Sequence, residues 1–311
     1  MWHARLSRAH GSEFDPLLRA AGGVILGKER PIRLAVACML AGGHLLIEDL
    51  PGVGKTTLAH VLARLFGLDF RRIQFTSDML PADVIGASIY HRQGGEFIFH
   101  PGPVFSQLVL ADEVNRATPK TQSALLEAME EQQVTVEGET RPLPRPFFVI
   151  ATQNPDSQLG TFPLPESQLD RFLMRISVGY PDRDAERELL SGRDRRELIA
   201  ETQPMLGQEE LLALQQKVQS VHASEALIAY VQNILAHTRS TPEITHGLSP
   251  RAGQALLRAA RAWALLDGRD AVLPEDVQAV FPGVAGHRLQ GSDSPDGRTS
   301  PEALLRDVAI P

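Results

Sequence analysis

Apolar positions in this chain follow two rhythms. Up to about Val178, short unbroken apolar runs alternate with stretches of helical spacing. Leu45-Leu46-Ile47, Leu108-Val109-Leu110-Ala111 and Phe147-Phe148-Val149-Ile150-Ala151-Thr152 are too short for helices and read as buried strands. Arg72-Ile73-Gln74-Phe75 and Met174 to Val178 read as two more. After the first run, Leu58, Val61, Leu62 and Leu65 recur at i, i+3, i+4 and i+7, one face of a helix ending by Gly67. Upstream, Val24-Ile25-Leu26-Gly27-Lys28 leads into a helix from Glu29 to about Ala41, with Pro31 in its first turn and Gly42-Gly43 as its stop. Beyond Pro181-Asp182-Arg183 the rhythm changes. Leu211, Leu214, Val218 and Val221, then Leu227, Val231, Ile234 and Leu235, keep helical spacing without strand alternation. The pattern predicts an α/β unit over about 17–183 and an all-helical unit over 184–311.

Two polar interruptions predict hairpins. Ala87 to Arg92 and Glu96 to His100 alternate about Gln93-Gly94-Gly95, inside a connection too long for a plain loop, so an insert is expected at about 86–103. Gln133 to Val136 and Thr140 to Leu143 flank Glu137-Gly138-Glu139 and predict a second hairpin at about 132–144. Thr118-Pro119 and Ser249-Pro250 each read as a cap followed by a first-turn proline. Arg251 therefore falls near the positive end of its helix, and a cation there needs an anionic partner. Residues 1–16 read as a leader or tag without fixed structure, and about 290–300, rich in Gly, Ser, Asp and Pro, as a flexible loop.

The chemistry gathers where apolar runs end. Asp49 to Thr57 reads DLPGVGKTT, between the first strand and the first periodic helix. Small residues there let backbone N–H groups turn inward on a phosphate chain. Lys55 would reach the β and γ oxygens, and the Thr56 hydroxyl would hold Mg²⁺. Pro51, Gly52, Val53, Gly54 and Thr57 complete the cradle, and the helix adds its positive end. Asp49 stands where the first glycine of G-x-x-x-x-G-K-[ST] belongs, and a carboxylate among phosphates is repulsive, so Asp49 is expected to point away. Asp112 and Glu113 end the run Leu108 to Ala111. An aspartate delivered by a buried strand can hold Mg²⁺ through water, across from Thr56, and Glu113 can polarise the attacking water. Gln153-Asn154-Pro155 ends the next run, where Asn154 can bond the γ-phosphate or position water. The segment of Ile25 and Gly27 is a candidate surface for an adenine ring.

Composition narrows the partners. A net charge of −7 argues against a chain that coats nucleic acid by bulk charge. Cys38, the single cysteine, lies in an apolar run and reads as a buried thiol, so no disulfide framework or thiolate metal site can be built. No apolar run approaches the roughly 18 residues of a membrane span, and a reducing, cytoplasmic setting is expected.

Taken together, LPGVGKTT, LVLADEVNRA, TPKTQSALLEAMEEQQVTVEG, VIATQNP, LPESQLDRF and GLSPRA resemble the MoxR family of AAA+ ATPases, from about Leu17 to Ile310. The resemblance implies a five-stranded parallel sheet of order 5-1-4-3-2 followed by an α-helical lid, with ATP and Mg²⁺ as ligands and subunits closing into a hexameric homo-oligomer. It implies Walker A at Lys55 and Thr56, Walker B at Asp112 and Glu113, and sensor 1 at Asn154. Arg171 looks like an arginine finger reaching a neighbour's site, and Arg251 like sensor 2 on the lid. The hairpins look like the helix-2 insert and the pre-sensor-1 hairpin. Chaperone-like remodelling or activation of a client protein is implied, with a von Willebrand factor A domain partner.

Two other classes share parts of this pattern. A metal-chelatase motor subunit, serving Mg²⁺ or Co²⁺ insertion, would keep the tetrapyrrole site on another protein. A DNA motor is disfavoured by the acidic balance and by an insert in which Arg92 is the lone Lys or Arg. Enhancer-dependent activators carry a GAFTGA loop in the insert, and Gly86-Ala87-Ser88-Ile89-Tyr90 is not one.

Overall fold

A computed structural model of the chain describes residues 12–92, 95–154, 160–291 and 300–310. Residues 1–11 of the expected leader, Gln93 and Gly94 of the expected turn, Pro155, and 292–299 of the expected loop lie outside the described residues.

The first unit alternates strands and helices. In chain order it runs α1 (Asp15–Val24), α2 (Glu29–Leu40), β1 (His44–Glu48), α3 (Lys55–Leu65), β2 (Phe70–Gln74), α4 (Pro81–Ile85), β3 (Gly86–His91), β4 (Glu96–Pro101), β5 (Leu108–Asp112), α5 (Pro119–Glu131), β6 (Gln133–Val136), β7 (Glu139–Pro142), β8 (Phe148–Gln153), α6 (Glu166–Leu169) and β9 (Phe172–Ile176). Five of these strands form one parallel sheet in the order β2-β5-β8-β1-β9, which in core-strand numbering is the expected order read from the other edge. The alternating stretches form the separate antiparallel ladders β3–β4 and β6–β7.

Why the strands read as continuous apolar runs follows from their burial on both faces. Successive strand side chains point to opposite sides. Leu45, Ile47, Leu108, Leu110 and Ile150 enter the core shared with α1, α2 and α3, while Leu46, Val109, Ala111, Val149 and Ala151 enter the one under α4 and α5. Fully burying a leucine or valine contributes roughly 1.5–3 kcal/mol. A one-residue slip would exchange the two sets, so register is firmly specified.

Three expectations shift. The last strand starts two residues earlier than Met174, because His44 at the start of β1 pairs with Phe172, and it stops at Ile176 before residues that bond Asp49. A helix begins at Asp15, inside the stretch expected as a leader, and Phe14 is buried in the core at 2 % exposure. The aromatic ring gives that stretch an anchor that its composition hid. Gly43 allows β9 to approach β1 closely, since a Cβ there would lie 2.3 Å from the Leu173 Cβ.

The helical unit continues with α7 (Arg183–Ser191), α8 (Arg195–Glu201), α9 (Gln208–Ser220), α10 (Glu225–Ser240), β10 (Ile244–His246), α11 (Pro250–Leu266), α12 (Pro274–Ala285), β11 (Gln290–Gly291) and α13 (Pro301–Arg306). β10 and β11 form a short antiparallel ladder that periodicity did not predict. Ser249 caps α11, accepting from the Ala252 N–H at 3.2 Å, as Thr118 caps α5. α11 packs on α2 and α12 on β9, so these helices lie along one side edge of the sheet.

Candidate functional site

The loop between β1 and α3 opens the carboxyl edge of the sheet. Gly52 and Gly54 both have left-handed backbone, φ 85° and 96°, and a Cβ at either would meet nothing within 4 Å. Two such turns with open space above them suit a phosphate chain lying on backbone N–H groups. Pro51 and Gly52 are exposed, Val53 is buried, and Thr56 and Thr57 are half-buried in the first turn of α3.

Lys55, 8 % exposed, turns back over the loop. Its Nζ donates to the Asp49 carbonyl at 2.5 Å, the Leu50 carbonyl at 3.0 Å and Asn154 Oδ1 at 2.7 Å. Burial lowers the pKa of this ammonium, and the nearby carboxylates of Asp49, Asp112 and Glu113 oppose the shift.

Asp49 does point away. Its Oδ2 accepts from the Ser177 hydroxyl at 2.8 Å and from the Val178 and Gly179 N–H groups at 2.7 and 2.6 Å, and its Oδ1 from the Leu50 N–H at 2.8 Å. The odd residue of the motif thus ties the loop's entrance to the chain leaving β9. Lys28 Nζ donates to the Tyr180 carbonyl at 2.5 Å, and a Cβ at Gly27, φ 66°, would lie 3.2 Å from both Asp182 Oδ2 and the Ala185 Cβ. Gly27, exposed, therefore borders the same 177–185 segment that Asp49 holds, while Ile25 is buried in the core.

Opposite the loop, β5 delivers the acids and β8 the polar groups that hold them. Thr152 donates from its hydroxyl to Asp112 Oδ1 at 2.5 Å and accepts from the Glu113 N–H at 2.9 Å. Glu113 sits at φ 57°, ψ 47°, a left-handed backbone that costs a non-glycine residue about 1–2 kcal/mol. That turn aims its carboxylate at Asn154, whose Nδ2 donates at 3.1 Å, and at Gln74, whose Nε2 donates at 3.0 Å. Arg116 also pairs with Glu113, at 3.0 Å. Arg72 donates to Asp112 Oδ2 from its Nε at 3.1 Å and from a terminal nitrogen at 2.6 Å, and the latter also reaches Gln74 Oε1 at 2.7 Å.

Lys55, Asn154, Glu113 and Asp112 thus converge at one rim of the sheet. Sequence reasoning missed Arg72, Gln74, Arg116 and Thr152. Arg72 and Gln74 alternate with an apolar residue, so they share a face of β2, but only the pairing of Gln74 with Asp112 shows what that face adjoins.

Arg171 and Arg251 lie elsewhere. Arg171 precedes β9 at the amino edge of the sheet, donating to the Leu126 carbonyl at 2.6 Å and pairing with Glu130 at 2.9 Å. Arg251 pairs with the same Glu130 at 3.4 Å and with Asp170 at 3.7 Å, which supplies the anionic partner its helix position required. With Arg258, Arg288 and His44 they line a cleft of about 340 Å³. Five strand residues at roughly 3.3 Å each separate this edge from the phosphate loop. Arg251 stands in the first turn of α11, which packs on α2 and faces this amino edge.

Three comparisons bear on these geometries. Residues 44–174 match the family described as ATPase family associated with various cellular activities (AAA), and 236–308 match the AAA lid domain. The chain is similar to YeaC of Bacillus subtilis, 47 % identical over 96 % of this chain and 95 % of that protein. It is similar to Chaperone MoxR1 of Mycobacterium tuberculosis, 40 % identical over 93 % and 80 %. A crystal structure from Cytophaga hutchinsonii, of a chain assigned as an ATPase, superposes with a TM-score of 0.85 at 39 % identity, covering 96 % of this chain and 94 % of the other.

Proposed function

This chain belongs to the MoxR family of AAA+ ATPases, and from that premise we propose that it hydrolyses ATP at the Lys55 loop to remodel, mature or activate a client protein. Its working form is a ring of six copies, acting with a partner that carries a von Willebrand factor A domain. The observation that carries the proposal is the contact from Lys55 through Asn154 to Glu113 at the carboxyl rim, which gathers a phosphate-binding cation, a polar orienter and a carboxylate.

In this reading the N–H groups of 51–57 hold the phosphates, and Lys55 exchanges its carbonyl partners for β and γ oxygens. Thr56, and Asp112 through water, would hold a Mg²⁺ ion, which would supply positive charge against the phosphates. Glu113 accepts hydrogen bonds at both oxygens here, so it can orient and polarise a water once Asn154 and Gln74 rearrange. Ile25 and Gly27 flank the base.

Arg171 and Arg251 act in a neighbouring subunit's site. A guanidinium supplied from a neighbour raises phosphoryl-transfer rates by roughly 10³–10⁵ fold, so turnover depends on assembly. Their shared partner Glu130 supports joint action. Among the described residues no helix is long and apolar enough to cross a membrane, which accords with a cytoplasmic setting.

The test is Glu113→Gln. ATP binding should persist while turnover falls below detection, and the trapped complex should retain client and partner in a pull-down. Unchanged turnover would remove the assignment of Glu113 and with it this reading of the site.

A further inference from the structure

We propose that Arg72 is a built-in counter-cation for Asp112: in the nucleotide-free protein its guanidinium stands in for the divalent metal, and it must swing away for metal-bound nucleotide to enter. This inference rests on the reading of Lys55, Thr56 and Asp112 as the site of ATP and Mg²⁺.

The geometry is specific. Asp112 is nearly buried, its side chain 10 % exposed, while the Arg72 side chain is 47 % exposed. Two nitrogens of Arg72 converge on one oxygen, Oδ2, and the Thr152 hydroxyl holds the other. A buried carboxylate with one hydroxyl donor needs positive charge, and a hard divalent cation or a guanidinium can each satisfy it. They compete at Oδ2, because a water carried by the metal would donate to the lone pairs that the two N–H groups occupy.

Arg72 is also placed to leave. It lies on β2, the outermost strand of the sheet at that end, so no further strand confines its side chain. Being half-exposed, the guanidinium regains water on leaving, while the arriving cation takes over the charge that the buried Asp112 needs. Departure would leave Gln74 Oε1 without that donor, and Gln74 is the residue whose amide holds Glu113. The arrival of the metal at Asp112 is thereby linked through Arg72 and Gln74 to the carboxylate beside the terminal phosphate. Each of these groups has a protein partner in the structure: Asp112 has Arg72 and Thr152, and Glu113 has Gln74 and Asn154.

Competition has a thermodynamic signature: anything that binds only the metal-free state weakens the metal's apparent affinity, and removing it strengthens that affinity by the same factor. The experiment is a Mg²⁺ titration of a fluorescent, non-hydrolysable ATP analogue bound to the full chain, comparing wild type, Arg72→Gln, Arg72→Lys and Asp112→Asn. Arg72→Gln should lower the half-saturating Mg²⁺ concentration about three- to tenfold, the scale of a partly exposed charge-assisted pair. Arg72→Lys, which keeps the charge but loses the two-donor fork, should fall between.

In parallel, Arg72→Gln should lower the melting temperature of the ligand-free protein more than that of the Mg²⁺-analogue complex. An unchanged or raised half-saturating concentration in Arg72→Gln would overturn the proposal; a raised one would make Arg72 part of the ligand cradle. Asp112→Asn separates the two layers. If it abolishes Mg²⁺ dependence while Arg72→Gln changes nothing, only the counter-cation role fails. If Asp112→Asn leaves Mg²⁺ dependence intact, the reading of the site fails and this inference falls with it.

Discussion

Asn154 accepts a hydrogen bond from Lys55 Nζ through its Oδ1 at 2.7 Å, while its Nδ2 faces Glu113. One amide thus uses its acceptor on the cation and its donor on the carboxylate, a division that no other side chain of its size reproduces. Asn154→Ala should leave nucleotide affinity within about threefold and lower kcat by roughly 10²-fold, since positioning and proton-transfer contributions have that size. Asn154→Asp sets two carboxylates side by side, which raises the pKa of one of them. The acid limb of its pH–rate profile should move to higher pH than in the wild type, and steady-state kinetics across pH would check it.

Arg171 and Arg251 share Glu130 at the edge of the sheet opposite Lys55, so they should serve a different copy of the chain. Mixing Arg171→Ala with Lys55→Ala should recover activity that neither has alone, because one supplies an intact loop and the other an intact arginine. Turnover per subunit should rise with protein concentration. A mixture as inactive as its components would place the action of Arg171 within its own chain.

The Asp49 carboxylate is a second target. Burial alone would raise its pKa, but hydrogen bonds from Gly179, Ser177, Leu50 and Val178 together hold it below the usual carboxylate value of 3.8. A depressed folded pKa means its contribution is fully present above the unfolded value and is lost as pH falls through the folded one. Asp49→Asn puts an NH₂ against donors and should cost roughly 2–4 kcal/mol at pH 7, several charge-assisted bonds being weakened at once. The stability gap between variant and wild type in denaturant titrations should be constant above about pH 5 and shrink below pH 4.

His44 also costs stability as pH falls, but by refusing a proton. Its Nδ1 accepts from the Val149 N–H at 3.0 Å, so its Nε2 carries the proton donated to the Met129 carbonyl at 3.2 Å, and the ring is neutral. Burial lowers its pKa from 6.5 to about 4, against the Met129 carbonyl and with help from Arg258. Between pH 6.5 and 4 the unfolded chain binds the proton that the folded one refuses. Stability is therefore full above 6.5 and falls by about 3 kcal/mol towards pH 4 at 1.36 kcal/mol per unit. His44→Gln should flatten that part of the stability–pH curve, whatever it does to stability at pH 7.

The β3–β4 hairpin closes through two glycines. A Cβ at Gly102 would lie 2.4 Å from both the Gly86 N and the Val84 carbonyl oxygen, and Gly86 itself holds φ 96°. Gly102→Ala should open the hairpin's base without disturbing the sheet. Limited proteolysis within 86–101 should quicken about tenfold or more, as local opening controls cleavage, while the melting temperature of the core changes by only a few degrees. A hairpin as resistant as in the wild type would show that the backbone can shift to admit the methyl group.

By itself the sequence determined the strands, the phosphate loop and the acidic pair, because these depend on local rules: two-faced burial makes an apolar run, and Gly52 and Gly54 supply turns that other residues resist. It also required Asp49 to turn aside and Arg251 to find an anion, both from charge alone. Strand order came with the family resemblance, since nothing in β2 says that it adjoins β5. What only the tertiary structure decided were relationships across the sheet. Arg72 meets Asp112 and Gln74 meets Glu113 through the register of an edge strand, and Asp49 meets 177–179 because β9 lies beside β1. Arg251 faces the amino edge because α11 settles on α2, and helix docking depends on complementary surfaces brought together from distant parts of the chain, which no window of sequence contains.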